Sequence, residues 1–207
     1  AEKVDFEDLV YSALHGMVRS LDPFSDFMAP DQYSSMMEST QGEFGGLGVI
    51  ITFRDDTLTI VSPIENTPGH KAGLQPGDQI VAIENESTKG MKMPDTIKRL
   101  KGEPGSEVTI TVYRPSTDEE RDYTIERAVI AVESVKEARI LPKTHVGYVR
   151  ITQFSDPTAD KLRSALKTLV EDGAKSMVLD VRNNPGGLLE SAVDICGYFL
   201  KPKTLVV

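Results

Sequence analysis

The segment Ala72-Gly73-Leu74-Gln75-Pro76-Gly77-Asp78-Gln79-Ile80 lies within a stretch where short apolar runs alternate with turn residues. From Phe44 to Arg127, runs rich in Ile, Val and Thr are separated by Gly, Pro, Asn and Asp, as in short strands joined by tight turns. The predicted strands are Leu47–Phe53, Leu58–Val61, Gln79–Glu84, Val108–Arg114 and Arg121–Glu126, and the predicted short helices are Pro68–Gly73 and Pro94–Leu100. The sequence therefore predicts a small β-rich domain over residues 44–127.

A helical pattern precedes this domain. Apolar residues between Leu9 and Leu21 recur at i, i+4 spacing, Asp5 is placed to cap the helix, and Asp22-Pro23 is placed to end it. The pattern predicts an amphipathic helix whose apolar face packs on another element. We assign residues 1–43 to an N-terminal helical segment that includes a turn-rich connection.

A different alternation follows the β-rich domain. Apolar strands at Val146–Phe154 and Ser176–Val181 alternate with two helical stripes, which include Leu162 and Leu189. Strand, helix, strand, helix indicates parallel strands joined by right-handed crossovers. The predicted fold class is therefore α/β plus β-rich, with the β-rich domain inserted before an α/β part over residues 128–207.

Composition and charge exclude several classes of partner and site. The 207 residues include 23 Lys and Arg against 32 Asp and Glu, a formal net charge of −9, which argues against nucleic acid and anionic membranes. A single cysteine, Cys196, and three scattered histidines argue against an internal disulfide and a zinc site. No apolar run is long enough to span a membrane.

The glycine-rich stretch Gly45-Gly46-Leu47-Gly48-Val49-Ile50-Ile51 carries the first functional hypothesis. Glycines before a β-branched strand let successive backbone N–H groups converge on an anion such as a carboxylate, and the strand leaves an edge for an extended peptide. Capture of a peptide C-terminus follows as a hypothesis. A plain glycine bulge at the entry to a strand is the equally weighted alternative.

With Val61-Ser62-Pro63-Ile64, Thr67-Pro68 and Leu100-Lys101-Gly102-Glu103-Pro104-Gly105, these segments resemble a bacterial-type PDZ domain. The resemblance implies binding of protein C-termini with apolar ends. It implies that the loop N–H groups of Leu47, Gly48 and Val49 hold the carboxylate, and that the strand through Ile50 pairs with the peptide. Candidates for lining the groove are Ile51, Ile97 and Leu100, although Leu100 fits the domain core better.

The stretch Val178-Leu179-Asp180-Val181-Arg182-Asn183-Asn184-Pro185-Gly186-Gly187-Leu188-Leu189 carries the second hypothesis. A buried strand would end in a tight turn whose glycines open a helix, so that free N–H groups could stabilise an anion. No phosphate-binding glycine motif accompanies it. A plain strand-to-helix turn remains the simpler interpretation, with Asp180 holding the turn.

Together with Tyr148-Val149-Arg150-Ile151-Thr152-Gln153-Phe154 and Leu21-Asp22-Pro23, this stretch resembles the carboxyl-terminal processing (tail-specific) proteases. These are Ser–Lys serine peptidases with a PDZ domain inserted between an N-terminal helical region and a ClpP/crotonase-like catalytic core. The resemblance implies that Gly186 or Gly187 lends a backbone N–H to the oxyanion hole. It implies no cofactor or metal, and a location in the periplasm or cell envelope.

The resemblance also has a departure. In the family, a nucleophilic Ser in a G-x-[AS]-S-[AS]-x-E string and a general-base Lys follow the Asn-Asn-Pro-Gly-Gly turn by some tens of residues. Neither occurs before Val207, so we expect this chain by itself to be inactive. A non-catalytic PDZ adaptor is the alternative function. We also expect residues 146–207 to leave apolar stripes uncovered unless the N-terminal helix or a second copy covers them, with homo-oligomers as one outcome.

Overall fold

A computed structural model describes residues 5–207, apart from the side chain of Asp8. The chain divides into two compact units. The β-rich unit is Glu43–Val132, and the α/β unit combines the N-terminal residues up to Gly42 with Glu133–Val207. The predicted fold class, α/β plus β-rich, is confirmed.

The helices are α1 (Phe6–Arg19), α2 (Pro30–Gln41), α3 (Pro68–Lys71), α4 (Met93–Leu100), α5 (Thr158–Glu171) and α6 (Leu189–Gly197). The strands are β1 (Glu43–Gly46), β2 (Val49–Arg54), β3 (Thr57–Pro63), β4 (Gln79–Ile83), β5 (Glu86–Ser87), β6 (Glu107–Arg114), β7 (Glu119–Glu126), β8 (Ala128–Ala131), β9 (Val135–Ile140), β10 (Val146–Ile151) and β11 (Ser176–Asp180). No helix among residues 5–207 combines the length and the apolar character needed to cross a bilayer.

The β-rich unit is an antiparallel sheet with the order β2-β3-β4-β6-β7, in which β5 pairs with β4. A separate two-stranded ribbon joins β1 to β8, with Glu43 opposite Ala131 and Gly46 opposite Ala128. Because β2 is the first strand of the sheet, its outer edge carries no strand of the described chain. The unit extends beyond the predicted boundary at residue 127, since the ribbon requires β8.

Alternating apolar residues of the strands build the core of this unit. Its fully buried side chains include Leu58, Ile60, Ile80, Ile83 and Ile110. One buried ion pair fixes the glycine-rich turn against the sheet. Arg114 at the end of β6 donates to both carboxylate oxygens of Asp78, at 2.7 Å each, and Asp78 also accepts from the Gln75 N–H at 2.9 Å. The Pro-Gly-Asp string thus has a structural role through its aspartate.

The α/β unit is built on the three-stranded sheet β11-β10-β9. β10 pairs in parallel with β11, which confirms the predicted strand-helix-strand order, and antiparallel with β9, a strand that the sequence pattern did not predict. Val149 and Ile151 of β10 pack with Leu162 and Leu169 of α5 and with Ile195 of α6. Leu162 and Leu169 of the α5 stripe are therefore buried, contrary to the expectation that the stripe would lie uncovered, whereas Val170 at its end is 62% exposed.

The α6 stripe is covered only in part. Leu189 is 59% exposed, Cys196 is half-buried, and Val178 and Val181 at the end of β11 are exposed. No strand of the described residues pairs with the outer edge of β11. The expectation of an incompletely covered α/β part therefore holds for α6 and β11.

The N-terminal helices carry little buried surface. Asp5 caps α1 as predicted, by accepting from the Glu7 N–H at 2.9 Å, but Phe6 and Met17 on its apolar positions stay exposed. The sequence pattern did not predict α2, because the composition of this helix is polar and its apolar residues Tyr33, Met36 and Met37 are clustered in one turn. Its start is fixed by Pro30 at the first turn, and it ends at Gly42, whose φ of 71° suits glycine.

Candidate functional site

An apolar groove lies between the open edge of β2 and helix α4 in the β-rich unit. It encloses a cavity of about 270 Å³. Its lining is mainly apolar and consists of Phe44, Gly46, Leu47, Gly48, Val49, Ile51, Ile97, Leu100 and Lys101. A strand edge beside an apolar wall is the geometry in which an extended peptide adds to a sheet and places alternate side chains in a pocket.

The glycine loop closes one end of this groove. Gly48 has a φ of 70°, and a Cβ added there would lie 2.3 Å from the Thr67 side chain, so only glycine fits. The Gly48 carbonyl accepts from the Ile64 N–H at 2.8 Å and from the Thr67 hydroxyl at 3.0 Å, while the Leu47 carbonyl accepts from the Gly69 N–H at 2.7 Å. Among residues 5–207, the N–H groups of Leu47 and Gly48 have no acceptor. The loop thus holds its carbonyls inward and leaves two donors for an anion.

The other predicted peptide-binding residues lie on β2 and α4, and most of them line the groove. Val49 and Ile51 of β2 line the groove, whereas Ile50 between them is 51% exposed and lies outside the lining. Ile97 is part-exposed on the groove face of α4. Leu100 both lines the groove and belongs to the buried core, so its two interpretations are compatible.

Two lining residues were not predicted. Phe44 lies on β1, and the ammonium group of Lys101 lies 4.5 Å from the centre of the Phe44 ring. The aromatic residue before Gly45 and the cation after α4 were available signals in the sequence. Their proximity depends on the β1–β8 ribbon, which the pattern of short runs did not reveal.

The turn after β11 positions a second set of backbone donors in the α/β unit. The Asn184 amide anchors the turn, because its Nδ2 donates to the Ile151 carbonyl at 3.1 Å and its Oδ1 accepts from the Gly186 N–H at 2.8 Å. The Gly186 carbonyl accepts from the Phe154 N–H at 2.9 Å. The Gly186 N–H is therefore used within the turn and is not free to bind an anion.

Gly187 differs from its neighbour. Its φ is 140°, and an added Cβ would lie 2.0 Å from the Phe154 carbonyl oxygen, so the backbone passes too close for a side chain. That carbonyl oxygen accepts instead from the Leu188 N–H at 2.7 Å. Within the described part of the chain, the Gly187 N–H has no acceptor. Of the two predicted glycines, Gly187 is the one with a free donor.

Asp180 at the end of β11 fixes the start of this turn. Its carboxylate accepts from the Arg182 guanidinium at 2.7 Å, from the Arg182 backbone N–H at 2.9 Å and from the Tyr148 hydroxyl at 2.6 Å. The bonds from Arg182 and Tyr148 hold the pKa of Asp180 well below its usual range. The same carboxylate raises the pKa of Tyr148. This supports a structural role for Asp180 in the turn.

Two other candidates for chemistry, a metal site and the Ser191 hydroxyl, find no support among the described residues. No group of three or more His, Cys, Asp or Glu side chains among them could hold a metal ion. The Ser191 hydroxyl on α6 is buried, and no described residue bonds to it. Ser191 thus has no base within hydrogen-bonding distance among residues 5–207, as a nucleophile would require.

Both units match known families. Residues 59–114 match the PDZ domain, and residues 145–207 match peptidase family S41. The chain thus combines a PDZ domain with a segment that is similar to peptidase family S41. The family resemblance drawn from the motifs is thereby confirmed, and the β-rich unit is called the PDZ unit below.

Curated relatives match along nearly the whole chain. A carboxy-terminal-processing protease of Bartonella bacilliformis is 36% identical over 206 residues, which cover 98% of this chain and 47% of that protein. A probable CtpA-like serine protease of Staphylococcus aureus is 37% identical over 207 residues, covering 99% of this chain and 41% of that protein. The chain thus spans somewhat less than half the length of these relatives.

A solved structure supports the fold. It is named as a photosystem II D1 C-terminal processing protease, is 29% identical and superposes with a TM-score of 0.51. The superposition covers 94% of this chain and 54% of that one.

Proposed function

We propose that this chain is the substrate-recognition part, and one side of the oxyanion hole, of a serine endopeptidase that processes protein C-termini. The observation that carries the proposal is the groove between β2 and α4, which ends at the two free N–H groups of Leu47 and Gly48. The match of residues 145–207 to a peptidase family supports an enzyme over a non-catalytic adaptor.

The groove would bind the last residues of a substrate protein. The peptide would add as a strand at the free edge of β2, and its terminal carboxylate would accept from Leu47 and Gly48. The apolar lining favours an apolar terminal side chain, which would contact Val49, Ile51 and Ile97.

The α/β unit would contribute to the chemical step through Gly187. A backbone N–H fixed before the reaction stabilises the negative charge that develops on the attacked carbonyl oxygen. Gly187 has that donor free, and Asn184 and Phe154 hold the surrounding backbone through hydrogen bonds. Gly186 is disfavoured, because its N–H already donates to Asn184.

The reaction itself would follow a Ser–Lys mechanism. A Ser hydroxyl attacks the peptide carbonyl while a neutral Lys accepts its proton. Burial would keep that Lys neutral by lowering its pKa. We place the nucleophile and the base outside these 207 residues, in the part of the relatives that the chain does not span.

A peptide titration tests the recognition step. The 207-residue chain is titrated with a fluorescent peptide that ends in Val, either with a free carboxylate or amidated. We expect amidation to weaken binding by about tenfold or more, because it removes a charge-assisted hydrogen-bond acceptor. Equal affinity for the two peptides would refute the carboxylate role of the glycine loop.

Two glycine variants provide the matched control. Gly48→Ala places a Cβ against Thr67 and should abolish binding, whereas Gly90→Ala carries the same backbone strain at a φ of 79° with open space around it. If both variants bind like the wild type, the groove is not the recognition site.

A peptidase assay tests the enzyme assignment. We expect the 207-residue chain to leave an unstructured protein with an apolar C-terminus intact, and the full-length protein to cleave it in a way that a Ser-directed covalent inhibitor blocks. Peptide binding without cleavage by the full-length protein would instead establish the adaptor.

A further inference from the structure

Arg127 lies between β7 and β8, and all three nitrogens of its guanidinium donate hydrogen bonds to other parts of the PDZ unit. Its Nη2 donates to the Arg99 carbonyl at 2.9 Å, and its Nε donates to the Leu100 carbonyl at 3.1 Å. Its Nη1 donates to the Glu107 carbonyl at 2.8 Å and to the Ser106 hydroxyl at 3.0 Å. One side chain therefore joins the end of α4 to the beginning of β6.

The first two contacts matter because α4 forms one wall of the groove. The last carbonyls of a helix have no partner within the helix, and a cation placed there is favourable to the helix dipole. α4 does not end in a left-handed glycine cap, since Lys101 follows it in an extended conformation and Gly102 has no positive φ. Arg127 takes the place of such a cap and holds Arg99 and Leu100 in position.

The backbone of Arg127 leads into the strand that pairs with the approach to the glycine loop. Its N–H donates to the Ser106 carbonyl at 2.7 Å, and its carbonyl accepts from the Gly105 N–H at 2.8 Å. The next residue, Ala128, begins β8 and pairs with Gly46, which lines the groove just before the glycine loop. The residue thus links the α4 wall to the strand that leads into the carboxylate-binding end.

Packing around Gly102 restricts the guanidinium further. A Cβ added at Gly102 would lie 2.8 Å from Nε and 2.9 Å from Cζ of Arg127. The Gly102 N–H donates to the Gly45 carbonyl at 3.2 Å, on the ribbon beside the groove. The guanidinium of Arg127 is therefore held both by its hydrogen bonds and by close packing against Gly102.

We propose that Arg127 is a positioning residue that sets the spacing between α4 and β2, and with it the size of the terminal side chain that the groove accepts. This inference rests on the proposed function of the groove. Arg127 is not among the residues that line the cavity, so it acts through Leu100 and Gly46.

Binding selectivity provides the first test. Two peptides with a free carboxylate, one ending in Val and one in Phe, are titrated against the 207-residue chain and its Arg127→Lys variant. Lysine keeps the charge but not the planar fork that reaches two carbonyls. We expect the ratio of the two Kd values to change by about fivefold or more, since the fit of a few methylene groups is worth at least that much. An unchanged ratio overturns the proposal.

Arg114→Lys is the matched control. It makes the same exchange in the same unit, at the buried pair with Asp78, and neither partner lines the groove. We expect it to lower stability while leaving the Kd ratio as in the wild type. An equal change of the ratio in both variants would mean that the effect is a general loosening of the unit, which also overturns the proposal.

A second arm does not depend on peptide binding. In Arg127→Lys and in Gly102→Ala, which displaces the guanidinium without removing it, amide hydrogen exchange should speed up in Met93–Lys101 and not in β3 or β4. Unchanged protection of α4 in both variants contradicts the positioning role. If the wild-type chain binds neither peptide, the recognition function fails, while this exchange result still decides whether Arg127 positions α4.

Discussion

The PDZ unit and the α/β unit differ in how completely their residues shield the hydrophobic core from solvent. Among the described residues, the PDZ unit buries a cluster of eleven hydrophobic side chains, and the α/β unit buries six. The PDZ core is built by strands of the sheet, α4 and the loop residues Leu47 and Leu74. In the α/β unit, by contrast, Leu189 of α6 and Val178 and Val181 at β11 remain exposed. A unit closed on itself can fold from local patterns, while one with exposed apolar edges depends on further surface to cover them.

The two units also hold a carboxylate differently. In the PDZ unit, Arg114 reaches Asp78 from 36 residues away and is itself mostly buried. In the α/β unit, Arg182 reaches Asp180 from two residues away with 82% of its side chain exposed. The first pair joins distant elements of a closed core, and the second orders a turn.

The largest expected effect separates these two pairs. Arg114→Ala leaves the carboxylate of Asp78 buried without its cation, so we expect a loss of about 3–5 kcal/mol in the free energy of unfolding of the PDZ unit. Arg182→Ala leaves Asp180 with Tyr148 and a backbone N–H, so its unit should lose much less. Urea titrations followed by NMR signals of each unit measure both losses, and equal losses would remove the distinction.

A matched pair of core substitutions tests the closure of the cores. Ile110 and Ile151 are both fully buried, one in each unit. We expect Ile110→Ala and Ile151→Ala each to cost about 2–5 kcal/mol, with the smaller cost in the α/β unit because a less enclosed core relaxes more readily around the cavity. The same titrations measure the costs, and Ile→Val at each site is the control, at about 0.5–1.5 kcal/mol. A larger cost at Ile151 would show that the α/β core is the better packed.

The sequence predicted those strands and helices whose apolar spacing and flanking turn residues match the observed structure. The strands around the Pro-Gly-Asp string, the strands β6 and β7, and the parallel pairing of β10 with β11 follow directly from apolar period and turn residues. The β1–β8 ribbon escaped prediction because its strands are short and lie far apart in the chain. β9 escaped because mostly charged residues fill its middle, although it pairs with the neighbouring strand β10. α2 escaped because its composition is polar and its few apolar residues are clustered in one turn.

For the site, the sequence predicted the glycine loop of the groove. For the oxyanion hole, it left two glycines of the turn after β11 as candidate N–H donors. It could not choose between Gly186 and Gly187, because the choice depends on where the Asn184 side chain points. It assigned Ile50 to the strand that pairs with the peptide, and strand alternation turns the side chain of that residue away from the groove. Phe44 lines the groove from the ribbon strand β1, and Lys101 lines it from the end of α4.

The next prediction contrasts the two sets of backbone donors in the full-length protein. Gly187→Ala displaces the turn from Phe154, so we expect kcat to fall roughly 10²–10³-fold, as when one oxyanion donor is lost. Gly48→Ala should instead raise KM, since it weakens substrate binding away from the reacting bond. Steady-state kinetics separate the two, and Gly197→Ala, with open space around it, is the control. An unchanged kcat in Gly187→Ala would contradict the assignment.

The smallest expected effect is the pH dependence of the α/β turn. The pKa of Asp180 is lowered in the folded chain by Arg182 and Tyr148, so the ionised carboxylate favours folding. That contribution is fully present above the unfolded pKa of about 3.9 and is lost as the pH falls toward the lower folded pKa. Asp180→Asn should therefore destabilise the α/β unit at neutral pH, and its difference from the wild type should shrink below about pH 4. Ile151→Val, which changes no charge, should show a difference that stays constant over the same range. Urea titrations at several pH values measure both differences, and a difference for Asp180→Asn that does not vary with pH would show that the carboxylate orders the turn without its charge.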